Sequence, residues 1–425
     1  MAMIGEKQEV PTNECGTVSV VRTLLLWAVT LILFGLYALG HAAAREFHRF
    51  NYWGGPWLDG LQRGIPPSSK LAGQVHLLAA CAAIAVVSLA VALVLTPVFR
   101  RLAWRLGVLD RPGEARKVHR APVPYLGGMS FYAAFLTAAL GVEWFAPRLA
   151  GAALFPAAVL GTAVMLMGLW DDARGLSGTF KLIVQLTLGA VFYFWGLRDA
   201  DPFSMIGPAT HWPWVGVAVT ALWMAGVMNA VNFSDGLDGL AAGLVFAISA
   251  SLFAVGLRNG HAAGCAMMAC LMGMTLGFLR YNFHPATIFM GDAGALFLGF
   301  ILAVATLASQ QKGAAVIALA VPMTALAVPV ADTALSFLRR MRRARGGGFF
   351  HPDRDHLHHR LLALGLGQRD AVLALYGFSA AMGMLAYLMD AVPESSRFIL
   401  LIVGAVIVLL GVAGLRRLEK RFRNR

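Results

Sequence analysis

Apolar stretches of about twenty residues, separated by polar segments, make up most of the chain. A stretch of this length crosses the hydrocarbon core of a bilayer when it is helical. The pattern therefore predicts an all-α, polytopic membrane protein with about 11–12 transmembrane helices. The candidate spans are residues 20–42, 74–98, 126–147, 151–170, 180–197, 213–231, 239–257, 262–281, 293–309, 313–338, 371–390 and 397–415.

The composition agrees with a membrane location. Of 425 residues, 58% are hydrophobic and only 13% are charged, which is too few charges to cover a soluble globule. The net charge of +13 could indicate a nucleic-acid partner. However, the Lys and Arg residues cluster in polar loops between apolar runs, which favours the lipid bilayer and an anionic substrate over nucleic acid. The four cysteines show no metal-binding spacing.

Basic residues accumulate in the polar segments after the second, tenth and last spans. The positive-inside rule places such segments in the cytoplasm, and the span count puts all three on one side. We therefore predict a multi-pass protein of the bacterial inner membrane with these loops on the cytoplasmic side.

The predicted spans divide the chain into three parts. Residues 1–73 form an N-terminal extension with one extra transmembrane helix or signal anchor and an aromatic segment outside the membrane. Residues 74–415 form the polytopic domain, and residues 416–425 a basic cytoplasmic tail. Small residues at 38–44 are typical of a signal-peptide cleavage site, but the long, acidic segment before them favours a retained helix.

Five polar clusters fall on the predicted cytoplasmic side. The central one, residues 229–239, holds Asn232, Asp235 and Asp238 between two apolar runs, and its glycines indicate a tight turn or a close approach to a ligand. A carboxylate is costly within the bilayer, so we expect it at an interface or in a polar cavity. The other clusters are Asp171-Asp172, residues 282–292, residues 351–359 and residues 116–128. Because all five share one face, we predict that they converge on one site.

Two of these clusters carry candidate catalytic acids. Asp171 and Asp172 repel each other, which raises the pKa of one of them and suits a catalytic base. Lys181 follows as a candidate phosphate ligand. The alternative interpretation of this segment is an interfacial turn whose acids are merely solvated. Asp292 stands between two glycines. It either caps a helix or, with Asn232 or Asp235, binds Mg²⁺ (Mn²⁺ as a substitute) together with substrate phosphates.

The remaining clusters leave more than one interpretation open. Residues 351–360 contain four histidines among basic residues, which fits a clamp for a diphosphate or sugar, a zinc site or a solvated loop. Residues 116–128 either bind anionic lipid or contact the substrate. Asp332, inside the tenth span, pairs with a basic group or takes part in the chemistry.

Taken together, these motifs resemble the polyprenyl-phosphate N-acetylhexosamine-1-phosphate transferases (glycosyltransferase family 4) over residues 74–415. The histidine-rich loop is similar to the branch that uses UDP-N-acetylglucosamine (UDP-GlcNAc). The resemblance implies transfer of a sugar 1-phosphate, GlcNAc-1-phosphate above all, from a UDP-sugar to undecaprenyl phosphate with Mg²⁺, releasing UMP and starting a cell-envelope glycan. It leaves open other UDP-N-acetylhexosamines, UDP-MurNAc-pentapeptide and a homodimer.

The same resemblance assigns roles to single residues. It implies that Asp292 binds the metal with Asn232 as second ligand, and that Asp171 is the base, with Asp172 and Asp235 as further catalytic acids. The implied substrate-binding residues are Lys117, His119, Lys181, Asp238, Asn282, Phe289 (stacked on uracil), Arg354, His356, His358 and His359. Tyr125 stands where Arg is frequent in that family, and Ala295 where Ser is frequent.

The rival interpretation is a transporter or flippase of a phosphorylated polyprenyl lipid. Transporters place polar residues near the bilayer midplane in broken helices, whereas here the acids lie at the ends of spans. A scaffold that binds anionic lipid would leave these acids without a role.

Overall fold

The computed structural model describes residues 12–50, 70–111, 121–197, 213–309, 315–343 and 357–423. These residues are almost entirely helical, and the helices end at the polar clusters of the sequence. The helices are α1 Thr12–Phe50, α2 Lys70–Leu106, α3 Gly128–Phe145, α4 Leu154–Arg174, α5 Gly178–Phe192, α6 Pro213–Ser234, α7 Leu240–Asn259, α8 Ala262–Asn282, α9 Gly291–Ala308, α10 Ala315–Ala325, α11 Ala327–Arg343, α12 Leu357–Ala363, α13 Gln368–Ala391 and α14 Glu394–Arg423. A short antiparallel pair, β1 (Leu109–Asp110) and β2 (Val123–Pro124), lies between α2 and α3.

Ten helices within the described residues are long and apolar enough to cross a membrane. This confirms the all-α, multi-pass membrane fold, and ten of the twelve predicted spans coincide with these helices. The predicted span at 126–147 coincides with the 18-residue helix α3, which carries Glu143 and is not among the ten. One predicted span needs correction.

The predicted span at 313–338 is two helices, because the chain breaks between α10 and α11 at Leu326. Pro322 in α10 and Pro329 in α11 have no backbone N–H to donate, which weakens a continuous helix. Each piece is shorter than a full span. The predicted basic tail, residues 416–425, begins as a helical continuation of α14.

Helix α9 lies at the centre of the bundle, in contact with α3, α4, α6, α7 and α8. Its residues from Ala293 to Leu307 are all buried. Small residues let neighbouring helices approach closely where lipid offers no hydrophobic driving force. At the start of α9, a Cβ on Gly128 would lie 2.5 Å from the backbone of Gly294, so α3 and α9 touch through their backbones. This contact fixes the end of the bundle where Asp292 lies.

The N-terminal helix α1 packs against α3 and α4. The Trp27 indole donates to the Leu166 carbonyl over 3.1 Å, and the Trp144 indole of α3 donates to the Gly40 carbonyl over 3.1 Å. Helix α14, at the other end of the chain, is mostly exposed and packs on α10 to α13.

Candidate active site

A cavity of about 970 Å³ opens at one end of the bundle. Its walls come from the β1–β2 pair, the α6–α7 loop, the α8–α9 loop and the starts of α9 and α13. The predicted site residues that line it are Asp172, Asp235, Asp238, Asn282, Phe289, Asp292 and His359. The structure therefore brings together clusters that are more than 180 residues apart in the chain.

Lys181 joins two of the acids beside this cavity. The Ser177 hydroxyl caps α5 by accepting from the Phe180 amide over 3.2 Å, so Lys181 lies in the first turn of α5. Its Nζ lies 2.6 Å from Asp171 Oδ2 and 3.4 Å from Asp292 Oδ2. The Asp171 side chain is only 4% exposed and that of Asp292 is 41% exposed. Asp292 is thus the member of this cluster that is open to a ligand.

Asp172 has a different environment from its neighbour Asp171. Its carboxylate accepts from the Asp292 amide over 2.7 Å and from the Ala293 amide over 3.2 Å, so it caps the start of α9. Gly291 lies there with φ of +72°, and a Cβ on it would lie 2.6 Å from Asp172 Oδ2. Glycine is needed for both the conformation and the space. The helix cap that the sequence offered as an alternative role for Asp292 is provided by Asp172.

The last turn of α6 supplies an amide, Asn232, and the loop after it supplies an acid, Asp235. Asn232 Nδ2 donates to Asp292 Oδ1 over 3.1 Å, so the predicted second metal ligand contacts the predicted first one. Burial raises the pKa of Asp235 to about 7, and the negative charges of Asp292 and Asp238 add to this shift. Asp235 therefore changes its protonation near neutral pH.

The α8–α9 loop is tied to the α6–α7 loop by hydrogen bonds. Asp238 Oδ2 accepts from the Ala286 amide over 3.0 Å and lies 2.7 Å from His284 Nδ1. Asn282 is 1% exposed; its Oδ1 accepts from the Gly239 amide and its Nδ2 donates to the Ile288 carbonyl. Asn282, predicted as a nucleoside or sugar contact, thus holds the two loops together.

Three residues that the sequence did not assign to the site also belong to it. His284 pairs with Asp238, and its place between Asn282 and Phe289 in a polar stretch was a usable signal. Tyr376 donates its hydroxyl to the Gly239 carbonyl, and Gln368 lines the cavity. These two come from α13, whose long apolar sequence gives no such signal.

The histidine-rich segment reaches the cavity through α12. His359 lines the cavity, and His358 is 3% exposed with its ring directly against Gly236. Four of the predicted substrate-binding residues, Lys117, His119, Arg354 and His356, lie outside the described residues.

The donor set fits a magnesium ion that is held partly by substrate. Asp171 and Asp292 both pair with the same Lys181 beside the cavity. No group of three or more His, Cys, Asp or Glu in the described ranges forms a complete metal site. Mg²⁺ needs only one or two protein carboxylates and takes its other oxygens from phosphate and water. The exposed Asp292 carboxylate meets that requirement.

Comparison with known proteins places these residues in a family. The sequence model of glycosyl transferase family 4 matches residues 154–310, a range that includes the five acids of the candidate site, Asp171, Asp172, Asp235, Asp238 and Asp292. The chain is similar to a probable undecaprenyl-phosphate N-acetylglucosaminyl 1-phosphate transferase of Bacillus subtilis, 34% identical over 68% of this chain and 80% of the relative.

Two further relatives show the range of the match. Decaprenyl-phosphate N-acetylglucosaminephosphotransferase of Mycobacterium tuberculosis is 35% identical over 65% of this chain and 74% of the relative. Phospho-N-acetylmuramoyl-pentapeptide-transferase of a Synechococcus species is 32% identical over 67% of this chain and 84% of the relative. These matches confirm the predicted family: the chain belongs to glycosyl transferase family 4, alongside polyprenyl-phosphate N-acetylglucosaminyl 1-phosphate transferases.

Proposed function

We propose that this protein transfers GlcNAc-1-phosphate from UDP-GlcNAc to undecaprenyl phosphate and releases UMP, with Mg²⁺ as the cofactor. The reaction would start a lipid-linked glycan at the cytoplasmic face of the bacterial inner membrane. One observation carries the proposal: Asp171, Lys181, Asn232 and Asp292, from three separate parts of the chain, meet beside one open cavity. The names of the GlcNAc-1-phosphate transferase relatives support the choice of reaction.

In the proposed reaction, an oxygen of the lipid phosphate attacks the β-phosphorus of UDP-GlcNAc. The new bond joins that oxygen to the β-phosphorus, and the bond from the β-phosphorus to the bridging oxygen breaks. UMP leaves with the bridging oxygen. Such phosphoryl transfers depend mainly on positioning and electrostatics, so the arrangement of the charged side chains is the protein's main contribution.

Lys181 and Asp171 are proposed to hold the attacking group. Lys181 pairs with both Asp171 and Asp292 and would orient a phosphate oxygen between them. Asp171 would accept the remaining proton of the lipid phosphate where one is present. Asn232 keeps the Asp292 carboxylate oriented toward the cavity.

The nucleotide end of the cavity is proposed to be formed by the α8–α9 loop and α12. Phe289 offers an aromatic face for uracil, and Asp238 with His359 lies within reach of the sugar and diphosphate. When bound at Asp292, Mg²⁺ supplies positive charge to the diphosphate and to the departing UMP.

A transfer assay tests this proposal directly. Purified protein is incubated with UDP-GlcNAc labelled in the sugar, undecaprenyl phosphate and Mg²⁺, and both UMP and labelled lipid are measured. We expect one UMP per labelled lipid, and neither product without lipid, with chelator or in Asp292→Asn. Movement of the lipid across a vesicle membrane without UMP release would instead support a transporter.

The identity of the sugar needs a competition between donors. UDP-GlcNAc, UDP-GalNAc and UDP-MurNAc-pentapeptide are compared by kcat/KM under identical conditions. We expect UDP-GlcNAc to give the highest value. A preference for UDP-MurNAc-pentapeptide would keep the reaction and overturn the proposed sugar.

A further inference from the structure

Asp332 is a buried acid of α11 whose role the sequence left open. It is 5% exposed, and its Oδ1 accepts a hydrogen bond from the Leu357 amide over 2.9 Å. Leu357 is the first residue of α12. The amides of a first helical turn lack partners within the helix, and an acidic side chain satisfies one of them. Asp332 therefore ties the start of α12 to α11.

Helix α12 packs against the α6–α7 loop at His358 and reaches the cavity at His359. A Cβ on Gly236 would collide with the imidazole of His358, so α12 docks directly on the loop that carries Asp235 and Asp238. His359, the next residue, lines the cavity, and the two imidazole centroids lie 4.3 Å apart. A rotation or shift of this seven-residue helix would move both rings relative to the loop.

Asp332 itself is placed for support and not for contact with substrate. It lies inside α11 and, within the described part of the chain, is not among the residues that line the cavity. Its hydrogen bond joins segments 25 residues apart, and α12 has little length of its own to hold its position. A short helix depends on tertiary contacts and caps, because its own propensity is insufficient.

We propose that Asp332 is a positioning residue for the nucleotide-sugar substrate. It fixes α12 so that His358 stays docked against Gly236 and His359 presents its ring to a nucleoside diphosphate sugar in the cavity. This inference rests on the proposed transferase function. It predicts that Asp332 governs binding of the sugar nucleotide and leaves binding of the lipid phosphate, at Lys181, unchanged.

Three variants separate this role from a general effect on folding. Asp332→Ala removes the acceptor, and Asp332→Asn keeps an oxygen in the same place. Asp390→Ala is the matched control: Asp390 is also a partly buried acid, accepting from Asn259 over 2.9 Å. It lies about 33 Å along α13 from Gln368 at the cavity, at 1.5 Å per residue.

The first measurement is steady-state kinetics with each substrate varied separately. For Asp332→Ala we expect the KM for UDP-GlcNAc to rise about tenfold, the size of effect that loss of a capping contact gives. The KM for undecaprenyl phosphate should stay within about twofold, and Asp332→Asn should restore most of the loss. Equal effects on both substrates, or an Asp390→Ala variant with the same phenotype, would overturn the inference.

The second measurement is hydrogen exchange without substrate. Amides of residues 357–363 should exchange faster in Asp332→Ala than in wild type, and those of α9 should not. Unchanged exchange in this segment would refute the positioning role even where the variant is active. If wild-type protein shows no transfer, the proposed function fails, and this exchange experiment still decides whether Asp332 holds α12.

Discussion

Two clusters of acidic side chains and their partners lie at opposite ends of the bundle and have different surroundings. At the cavity, Asp171 and Asp292 share Lys181 at 2.6 and 3.4 Å. Near the far end of α3, Glu143 accepts from the Tyr37 hydroxyl over 2.9 Å and lies 2.7 Å from His41 Nδ1, at an angle outside ordinary hydrogen-bond geometry.

The difference is in charge balance and access. Glu143 has two partners of its own, and Phe155 stacks on His41 with centroids 4.1 Å apart, so this cluster is closed. At the cavity one lysine serves two acids, and the Asp292 side chain remains 41% exposed. The two clusters therefore differ in how many acids share one basic partner and in whether a ligand can reach the carboxylate.

The largest expected effect tests the open cluster. Asp292→Asn keeps the shape of the side chain but removes the charge that faces the cavity, so we expect kcat to fall about 10³-fold. UMP release from UDP-GlcNAc is the measurement. Glu143→Gln, the same change in the closed cluster, should keep activity within about twofold. Activity of Asp292→Asn within tenfold of wild type would show that the exposed Asp292 carboxylate is not what distinguishes the two clusters.

The second prediction concerns the buried acid of the open cluster. Asp171→Asn removes the charge opposite Lys181 and a candidate proton acceptor, so we expect kcat to fall about 10²-fold. The KM for UDP-GlcNAc should change little, because Asp171 lies beside Lys181 and does not line the described cavity wall. Kinetics with varied UDP-GlcNAc measure both values. A rise in KM with unchanged kcat would instead assign Asp171 to substrate binding.

A buried amide pair under the open cluster gives the third prediction. Gln185 lies one turn beyond Lys181 on α5 and is 0% exposed; Asn229 of α6 donates to its Oε1 over 2.5 Å. Gln185→Leu would remove this hydrogen bond between α5 and α6, leaving Asn229 Nδ2 only its bond to the Ala225 carbonyl within α6. We expect the loosened α5–α6 contact to lower kcat about tenfold. Thr187→Val, on the exposed face of α5, is the control. Equal activity of the two variants in the transfer assay would exclude a role for the pair.

How much of this site the sequence could predict depended on spacing along the chain. The sidedness of the polar clusters predicted that Asp171, Asn232 and Asp292 would converge, because span ends can be counted. The capping of α5 by Ser177 can also be predicted from the sequence, because it is a local interaction of a residue type that favours the N-cap.

The sequence could not predict features that depend on the direction of a side chain around its helix or on a partner distant in the chain. Asp171 and Asp172 are adjacent, yet successive helical residues point about 100° apart; one reaches Lys181 and the other the start of α9. Asp332 finds its partner in Leu357, across a segment with no regular pattern. The contribution of Tyr376 depends on how α13 packs against α7, which no local pattern encodes.

The fourth prediction addresses the stability of the closed cluster. Glu143→Ala would leave Tyr37 and His41 without their buried partner, at a cost of about 1–3 kcal/mol. We expect the midpoint of thermal unfolding in detergent to fall by about 1–4 °C, with activity at 25 °C retained. An unchanged midpoint would show that this cluster does not hold α1 against α3. Asp292→Asn, measured in parallel, should show the reverse pattern of lost activity and a nearly unchanged midpoint.

The fifth prediction concerns Asp235 and the pH dependence of the protein's stability, and it has the smallest expected effect. Its pKa is about 7 in the folded protein, against 3.8 ordinarily. Between these values the folded state keeps a proton that the unfolded chain has lost, so stability falls as pH rises toward 7 and then levels off. Asp235→Asn removes this pH-dependent contribution to stability. Without metal or nucleotide, its midpoint of unfolding relative to wild type should therefore be about 2 °C higher at pH 8 than at pH 5. Thr187→Val, which removes no titratable group, should show no such difference. The same flat result for Asp235→Asn would show that folding does not raise the pKa of Asp235.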